Sequence, residues 1–415
     1  MLQINDFLFK SIYVGVKESR FWNTDGRDFM ILIKPFLIFV KSLLFFLFDS
    51  LALSNVQSFS NNQLKLILII RQDAIGDFVM WLDTAKEYRK LYPPEKYKIV
   101  LVGNDLWYSL AKTLPYWDEV LPVNVKKFKT FSLYRKNLLR QVRNLSAQIT
   151  VQTAFSGEFY LADSLVRASN SLKKIGSVGD MSNRNWFKKI ISDRWYTELV
   201  PASTKQLTEL ERNSEFFQGF SKKPHQLSYP SISSEVLASS KKWEKRDYYV
   251  LFPGASSALK QWPTEYFAEI ANRIYNETFL TGILDGGPSE KPLAESIQGL
   301  TDVPLEWAGT PLNELPKLLK HSKFLVSNDT SAVHIAVAVK TSVICILGGA
   351  YYGRFLPYPE LPEKQFTLET VSYSMPCYGC NGDCIYPLNK NEPAPCITNI
   401  SVDAVWEKVK PLLPS

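Results

Sequence analysis

Apolar runs and amphipathic stretches alternate along most of this chain. The aliphatic run at 64–70 predicts a buried strand, and residues 77–92 carry a helical pattern that ends at Pro93 and Pro94. Further strand and helix patterns follow, and the alternation resumes at 248–254 after an irregular stretch. Regular alternation of this kind is typical of a parallel sheet with helices on both faces. We therefore predict an α/β protein with two doubly wound domains in tandem.

The composition fits two packed domains. The chain has 415 residues, of which 46% are hydrophobic and 21% charged, so it can bury two cores and is too apolar for a disordered protein. A stretch rich in Ser, Lys and Pro places the interdomain linker around 218–246. The predicted segments are an apolar N-terminal extension at 1–63, an N-terminal domain at 64–225, a C-terminal domain with a cysteine cluster at 226–396, and a C-terminal helix at 397–415.

The extension contains FMILIKPFLIFVKSLLFFLF at 29–48, which is about as long as a bilayer span. Lys34 and Lys41 would each cost roughly 2.5–3.5 kcal/mol near the bilayer centre, and Pro35 interrupts the segment. A helix lying in the membrane interface therefore fits better than a spanning helix. Packing against the domain, a true span and a signal sequence are the alternatives.

A basic region covers 121–157, where seven Lys or Arg occur without any acidic residue. They are Lys126, Lys127, Lys129, Arg135, Lys136, Arg140 and Arg143. Apolar residues recur in the same region at helical spacing: Leu138, Leu139, Val142 and Leu145. We predict an amphipathic helix that shows its cations to solvent. This face is either a solvated surface or a site for an anionic partner, such as a phosphorylated lipid or a membrane surface.

Small, Gly-rich or acidic residues follow four of the predicted strands, as RQDAIGD, PGASSALKQWP, DGGPSE and SNDTSAVH. Because the carboxyl ends of parallel strands meet at one edge of a sheet, we expect these loops to face a cleft. The first loop lacks the G-x-G-x-x-G spacing, so NAD binding is only a weak alternative.

The fourth loop is a candidate phosphate site. Its SNDTS run at 327–331 leads directly into an apolar helix, where free backbone N–H groups can bind a diphosphate. The same residue types are also good helix caps. Lys260, in a second loop of that domain, can neutralise phosphate as a point charge. His334 follows in the first helical turn and is either a nucleotide contact or a packed residue.

Four cysteines near the C-terminus form the pattern C-x2-C-x3-C-x11-C, at Cys377, Cys380, Cys384 and Cys396. Clustered thiolates in an intracellular protein more often bind zinc or iron than form disulfides. We expect a structural metal site there, with free thiols and disulfides as alternatives. Cys345 lies in an apolar strand and is expected in the core.

Four ordered segments resemble the successive motifs of glycosyltransferase family 9, the heptosyltransferases of lipopolysaccharide biosynthesis and their relatives. The segments are LILIIRQDAIGDFVMWLDTAKEYRKLYP, VLFPGASSALKQWPTEYFAEIANRI, GILDGGPSEKPLAESI and TPLNELPKLLKHSKFLVSNDTSAVHIAVAVKTSVICILGG. The resemblance implies a GT-B fold, in which two Rossmann-like domains face a cleft. The N-terminal domain would bind the acceptor and the C-terminal domain the nucleotide sugar. It also implies an inverting transfer of a sugar without a catalytic metal.

The resemblance further implies roles for individual residues. Asp77 is expected to be the catalytic base, with Asp73 and Gly76 on the acceptor side. The expected donor-binding residues are Ser256, Lys260, Asn328, Asp329, Thr330, Ser331, Ala332 and His334. An aspartate with an ordinary pKa of about 3.9 is a weak base towards a sugar hydroxyl, so we expect proton transfer late in the reaction.

From this resemblance we expect an enzyme that moves a sugar, heptose from ADP-heptose, to a lipopolysaccharide core or related cell-envelope glycan. Its expected partners are a nucleotide-sugar donor, a glycolipid or glycan acceptor and the inner-membrane surface, with no nucleic acid. We expect no cofactor for catalysis, and a cytoplasmic location on the inner face of the bacterial inner membrane. Two alternatives are a protein heptosyltransferase of the autotransporter type, a branch with a cysteine-ligated iron site, and a non-catalytic protein that binds nucleotide sugars.

Overall fold

The computed structural model of the chain describes residues 25–54, 64–237, 242–361 and 365–414, with side chains from residue 35 onward. The chain divides into two compact units, Met1–Ser54 and Asn55–Ser415.

Helix α1 (Asp25–Leu53) is the described element of the first unit, and it contains the apolar segment at 29–48. The helix runs through Pro35 without a break, so the predicted interruption was wrong. Among the described residues, Pro35–Leu53 is the one helix whose length and composition would allow it to cross a membrane, a test that core helices and signal sequences also pass. The rest of the predicted extension lies outside the described residues.

Six parallel strands form the first sheet of the second unit, in the order β3-β2-β1-β4-β5-β6. This is the strand order of dinucleotide-binding α/β domains. The strands are β1 (Lys65–Arg71), β2 (Tyr97–Asn104), β3 (Glu119–Val123), β4 (Ile149–Gln152), β5 (Lys173–Ser177) and β6 (Glu198–Val200).

The second sheet repeats this architecture with six further parallel strands, in the order β12-β11-β10-β7-β8-β9. Counted within the second half of the chain, the order is again 3-2-1-4-5-6. The strands are β7 (Tyr248–Phe252), β8 (Thr281–Leu284), β9 (Leu305–Trp307), β10 (Phe324–Asn328), β11 (Ser342–Ile346) and β12 (Leu368–Val371).

Helices connect the strands of both sheets, as crossover connections between parallel strands require. In the second unit they are α2 (Ile75–Leu91), α3 (Tyr108–Ala111), α4 (Val125–Phe128), α5 (Leu133–Asn144), α6 (Ala162–Ser169), α7 (Trp186–Asp193), α8 (Glu209–Ser221), α9 (Ser234–Leu237), α10 (Thr264–Thr278), α11 (Lys291–Gln298), α12 (Leu315–His321), α13 (Ser331–Ala338), α14 (Pro395–Thr398) and α15 (Val402–Val409). The predicted doubly wound α/β fold is confirmed. Within the predicted C-terminal helix at 397–415, the main helix is α15.

One apolar core runs through both sheets by way of α2 and α13. It joins Ile67 and Ile69 of β1 to Val250 and Phe252 of β7. Residues 78–85 of α2 are all buried, because this part of the helix is covered by the first sheet, α8 and α13. The two halves of the second unit therefore share an interior.

The connection between the two sheets is fastened to both central helices. Ser228 donates hydrogen bonds from its backbone N and its hydroxyl to the buried carboxylate of Asp83 on α2. Ile232 N donates to Ala338 O at the end of α13, at 3.0 Å. The predicted linker at 218–246 began too early, because α8 continues to Ser221 and ends where Lys222 adopts a left-handed conformation with φ 55°.

Helix α5 confirms the amphipathic helix predicted in the basic region, with Leu138, Leu139 and Val142 buried. The prediction that its cations all face solvent was wrong for Arg135, which is fully buried. Its guanidinium donates to the carbonyl oxygens of Phe128 and Tyr160, at 2.9 and 2.7 Å. A fork of five N–H groups can satisfy several carbonyls at once, so the chain uses this arginine to join α5 to neighbouring loops.

Candidate active site

The loop between β1 and α2 carries the predicted base at the carboxyl edge of the first sheet. Arg71 ends β1 and is fully buried, while Asp77 lies in the first turn of α2. The carbonyl oxygen of Asp73 accepts hydrogen bonds from Asn104 Nδ2 and Trp107 Nε1, both at 3.1 Å. The end of β2 therefore fixes the conformation of this loop.

Three carboxylates meet in this loop. Asp73, Asp77 and Glu209 each place one oxygen within 4.8 Å of the other two. Arg71 Nη2 lies 2.8 Å from Asp73 Oδ2 and 3.4 Å from Glu209 Oε1. The same nitrogen donates to the carbonyl oxygen of Asp77 at 3.3 Å, and Nη1 donates to Asn213 Oδ1 at 2.9 Å. One guanidinium thus connects acidic residues from the β1–α2 loop, α2 and α8.

This arrangement changes the proton affinity of Asp77. Burial is the main cause that raises the pKa of Asp77 to about 8, and the nearby carboxylates of Asp73 and Glu209 contribute to the increase. The positive charges of Arg71 and Arg354 oppose it. Burial likewise raises the pKa of Asp73 to about 6. The expectation that Asp77 has an ordinary pKa was therefore wrong, because the sequence did not reveal its desolvation and its acidic neighbours.

The fourth loop forms the start of α13, as predicted. Thr330 is the N-cap, and its hydroxyl accepts a hydrogen bond from Ala332 N at 3.3 Å. Lys260 Nζ lies 2.8 Å from Asp329 Oδ2, which brings together the loops that follow β7 and β10. Because the first N–H groups of a helix lack intrahelical partners, the start of α13 is suited to an anion.

Two of the predicted donor-binding side chains face protein. Asn328 is fully buried, its Oδ1 accepting from Trp262 N at 3.1 Å and its Nδ2 donating to Pro253 O at 2.6 Å. Ala332 is also fully buried. Asn328 therefore holds the two loops in position, and its side chain has no polar atom left without a partner.

A cavity of about 240 Å³ lies between the donor loops and the cysteine segment. Ser256, Lys260 and Asp329 line one part of it. The other part is lined by Gly348, Tyr351 and the cysteine cluster, Cys377, Cys380, Cys384 and Cys396. Lys260 and Asp329 of the predicted donor site therefore share one cavity with the cysteines.

The two halves touch beside this cavity, where α2 begins. A Cβ placed on Gly76 would lie 3.0 Å from His334 Cδ2 and 3.9 Å from Ser331 Cα. His334 is buried, and its Nδ1 pairs with the hydroxyl of Tyr358 at 2.5 Å. Burial lowers the pKa of His334 to about 4, so the imidazole is neutral at physiological pH. The first turn of α2 thus packs against the first turn of α13.

A family model matches the part of the chain that contains the donor loops. The family model described as glycosyltransferase family 9 (heptosyltransferase) matches residues 140–374, more than half of the chain. The chain belongs to glycosyltransferase family 9. This membership confirms the resemblance of the ordered motifs and makes the protein a glycosyltransferase.

This chain is similar in sequence to lipopolysaccharide heptosyltransferase 3 of Escherichia coli (strain K12). The two are 23% identical over 302 residues, which span 69% of this chain and 83% of that protein. The similarity therefore extends through most of the relative.

Solved structures share the fold of the family 9 protein. A family 9 glycosyl transferase from Veillonella parvula superposes with a TM-score of 0.64 at 15% identity, covering 87% of this chain and 99% of that one. The E. coli heptosyltransferase WaaC with ADP-2-deoxy-2-fluoro heptose gives a TM-score of 0.62 at 17% identity. This superposition covers 83% of the present chain and 99% of WaaC. The predicted GT-B architecture of two Rossmann-like halves is confirmed.

The four clustered cysteines, and not the carboxylates around Arg71, are the side chains of this glycosyltransferase that suit a metal ion. Among the described residues, Asp73, Asp77 and Glu209 are the only set of three or more His, Cys, Asp or Glu whose ligand atoms all lie within 4.8 Å of one another. Arg71 already provides the positive charge in that set. The four clustered cysteines are free thiols around one cavity, a donor set that suits zinc or iron, although their sulfurs are spread more widely. Cys345 is buried in β11, as predicted.

The sequence did not identify Glu209 or Arg71 as parts of the site. Glu209 is 138 positions from Arg71 in the chain, and the two meet only in the folded structure. Thr208 and Glu211 form a capping box, a signal that could have located the start of α8. Even that signal would not have placed Glu209 beside Asp77.

Two further acidic residues occupy the carboxyl edge of the second sheet. Asp285, directly after β8, is buried and accepts a hydrogen bond from Thr310 N at 2.7 Å. Glu290 Oε2 accepts from Gly287 N at 2.6 Å, and its carboxylate lies against Gly254. Rossmann folds often place an acid after the second strand, where it binds a ribose hydroxyl. An acid at this position is therefore a sequence signal that places the DGGPSE loop in the donor site.

Proposed function

We propose that this family 9 enzyme transfers heptose from ADP-heptose to a lipopolysaccharide core or a related cell-envelope glycan, with inversion and without a catalytic metal. The observation that carries the proposal is the close approach of Gly76 to α13, where an added Cβ would lie 3.0 Å from His334 Cδ2 and 3.9 Å from Ser331 Cα. It brings the turn that holds Asp77 against the start of the helix suited to the diphosphate. The acceptor base and the leaving group would therefore meet across one narrow cleft.

On the donor side, the diphosphate would bind at the start of α13. Free N–H groups there, together with the hydroxyls of Thr330 and Ser331, can donate hydrogen bonds to phosphate oxygens. Lys260 supplies a positive charge, at present paired with Asp329. These donors would stabilise the negative charge that develops on the leaving nucleoside diphosphate.

On the acceptor side, Asp77 would take the proton of the attacking hydroxyl. A carboxyl whose pKa is raised to about 8 binds this proton more tightly than an ordinary aspartate does, which favours its transfer from the sugar. Base and leaving group act on opposite faces of the anomeric carbon in an inverting reaction, and the two helix starts supply these two positions.

The sugar and the acceptor are proposed from the relatives. The WaaC structure was solved with ADP-2-deoxy-2-fluoro heptose, and the similar E. coli protein is a lipopolysaccharide heptosyltransferase. Membership in a family described by heptosyltransferase activity supports the same donor here. The acidic residues Asp285 and Glu290 would then bind hydroxyls of the nucleoside ribose.

Helix α1 supports a location at the membrane. Its large apolar side chains are exposed at Phe36, Leu37, Phe39, Leu43, Leu44, Leu47 and Leu51. Ser42 and Asp49 of the same helix are buried. Phe45 and Ala52 are buried as well, so the exposed side chains form one large apolar face, which is typical of a surface that contacts lipid. We place the enzyme on the cytoplasmic face of the inner membrane, where a glycolipid acceptor would be within reach.

The cysteine cluster is proposed as a structural metal site that takes no part in the transfer. Cys377, Cys380, Cys384 and Cys396 would hold zinc or iron as thiolates. When bound, the metal would tie the cysteine segment to the donor cavity. The chemistry of the transfer would be carried out by Asp77 and the donor loops.

The Asp77→Asn variant tests the proposed function. We expect the turnover number to fall by at least about a hundredfold, because the amide cannot accept the proton. Stabilisation by ADP-heptose should be retained, and a ligand at a hundred times its Kd adds about 2.7 kcal/mol to the free energy of unfolding. The exposed Asp302→Asn is the matched control. Wild-type turnover in Asp77→Asn would refute the proposal, and stabilisation by UDP- or GDP-sugars alone would refute the donor.

A further inference from the structure

The acidic cluster around Asp77 contains contacts that join the two halves of the molecule. We propose that Glu209 and Arg354 are positioning residues for Asp77, held next to it by a hydrogen bond between their own backbones. This inference rests on the proposed role of Asp77 as the base. It adds two residues to the site, one from each half of the enzyme.

Glu209 is fixed in position by the first turn of α8. Thr208 caps this helix, and its backbone N donates to Glu211 Oε2 at 2.7 Å in a capping box. The Glu209 side chain is buried and extends to Arg71 Nη2, which also contacts Asp73. A capped helix start and a buried ion pair leave the Glu209 carboxylate few alternative positions.

Arg354 belongs to the C-terminal half, in the segment between β11 and β12, and its backbone contacts the start of α8. Its carbonyl oxygen accepts a hydrogen bond from Glu209 N at 2.9 Å. Its exposed guanidinium lies over the ring of Phe355, at 4.8 Å. The positive charge of Arg354 opposes the burial that raises the pKa of Asp77. The hydrogen bond thus fixes the backbone of Arg354 beside that of Glu209, and the charges of both residues act on Asp77.

Charged and titratable groups face Asp77 from each element packed around it. They are Arg71 and Asp73 from β1 and its loop, Glu209 from α8 and Arg354 from the β11–β12 segment, while His334 of α13 lies against the neighbouring Gly76. His334 is neutral, because burial lowers its pKa to about 4. Glu209 is therefore the only acidic group near Asp77 in this set that comes from outside the β1–α2 loop.

Opposite charges give the two residues opposite effects. The Glu209 carboxylate strengthens Asp77 as a base, since it disfavours a second negative charge nearby. The Arg354 guanidinium favours ionised Asp77, which must be present before the acceptor proton can be taken. Removing either charge should move the pH at which Asp77 ionises, in opposite directions. General damage to the fold would not produce opposite shifts.

The test is the pH dependence of kcat/KM, whose acidic limb reports the ionisation of the base in the free enzyme. We expect Glu209→Gln to move this limb to lower pH by roughly one pH unit, and Arg354→Gln to move it to higher pH. Gln retains an oxygen that can accept from Arg71. Glu215→Gln, on the same helix but in contact with Arg212 and Ser203, is the matched control and should keep the wild-type limb.

The outcomes separate this inference from the proposed function. An inactive Asp77→Asn with unshifted limbs in Glu209→Gln and Arg354→Gln would overturn the inference and leave the base assignment standing. Shifts of the same sign in both variants would also overturn it. A fully active Asp77→Asn would instead refute the proposed function. If Glu209→Gln does not fold, Arg354→Gln still tests the inference, because Arg354 is exposed. Its replacement must move the acidic limb of kcat/KM to higher pH.

Discussion

Gly76 faces the imidazole of His334 so closely that a Cβ at position 76 would lie 3.0 Å from Cδ2 of that ring. The ring is held in place from its other side, since Nδ1 pairs with Tyr358. Glycine therefore sets the distance between the helix that carries the proposed base and the helix that begins in the donor loop.

We expect Gly76→Ala to lower kcat/KM by roughly tenfold, because even a small displacement of reacting groups slows a transfer that depends on their alignment. Its effect on stability should be small, since alanine gains about 1 kcal/mol of helix propensity over glycine and this offsets the closer contact. Steady-state kinetics and thermal unfolding together measure both effects.

Gly299→Ala is the control for this prediction. A Cβ there would meet its nearest atoms at 3.5 and 3.6 Å, which is ordinary van der Waals contact. The control should keep the wild-type kcat/KM. Equal activities for both variants would show that the close approach of the two helices has no part in the reaction.

The raised pKa of Asp77 predicts how stability depends on pH. The carboxyl binds its proton more tightly in the folded protein, with a pKa of about 8 instead of the ordinary 3.8. Its contribution to stability is complete below the unfolded-state pKa, and is lost as the pH rises towards and through 8. Asp77→Asn lacks this ionisation, so the difference in Tm between variant and wild type should grow from pH 5 to pH 9.

Thermal unfolding across that pH range checks the prediction, with the exposed Asp302→Asn as the control. Parallel Tm curves for Asp77→Asn and the wild type would mean that Asp77 ionises normally in the folded protein.

The shared cavity predicts that the cysteines affect donor binding. If they hold a metal ion, protein purified under reducing conditions should contain about one zinc or iron per chain. Cys380→Ser should lose the metal and weaken stabilisation by ADP-heptose, because its side chain lines the cavity beside Lys260. Metal analysis and thermal shift are the measurements.

Cys345→Ala provides the comparison, since this thiol is buried in β11 away from the other four in sequence. It should keep both the metal and the response to donor. Metal-free wild-type protein with full donor response would contradict the metal site.

The exposed apolar side chains of α1 predict binding to lipid. Replacing Leu43 and Leu47 by Glu should weaken co-sedimentation with phosphatidylglycerol vesicles by at least about tenfold, since burying one leucine contributes roughly 1.5–3 kcal/mol. The control is Leu172→Glu, which changes an exposed leucine of the first sheet's domain. Equal loss of binding in this control would show that α1 is not the contact.

The sequence was sufficient for features that depend on neighbours in the chain. The strands, the loops at their carboxyl ends and the Thr330 cap all follow from local patterns, and the family match at 140–374 contains the last three of the four motifs. The loop after an apolar strand drew attention to Lys260, whereas the choice of Asp77 as the base came from the resemblance to the family.

Features that depend on distant contacts could not be read from local patterns. The burial of Arg135 follows from its contact with Tyr160, 25 positions away. The pKa of Asp77 is raised mainly by its burial and further by the carboxylate of Glu209, which comes from a distant part of the chain. The burial of a charged side chain depends on tertiary contacts, which a local sequence pattern does not contain.

The apolar core shared by β1, α2, α13 and β7 limits how the enzyme can exchange its ligands. Pulling the two sheets apart would expose that interior to water, at roughly 25 cal/mol for each Å² of apolar surface. A rotation that keeps α2 and α13 in contact would avoid this loss. We therefore expect products to leave through small rotations of the two halves about α2 and α13, with these two helices still packed against each other.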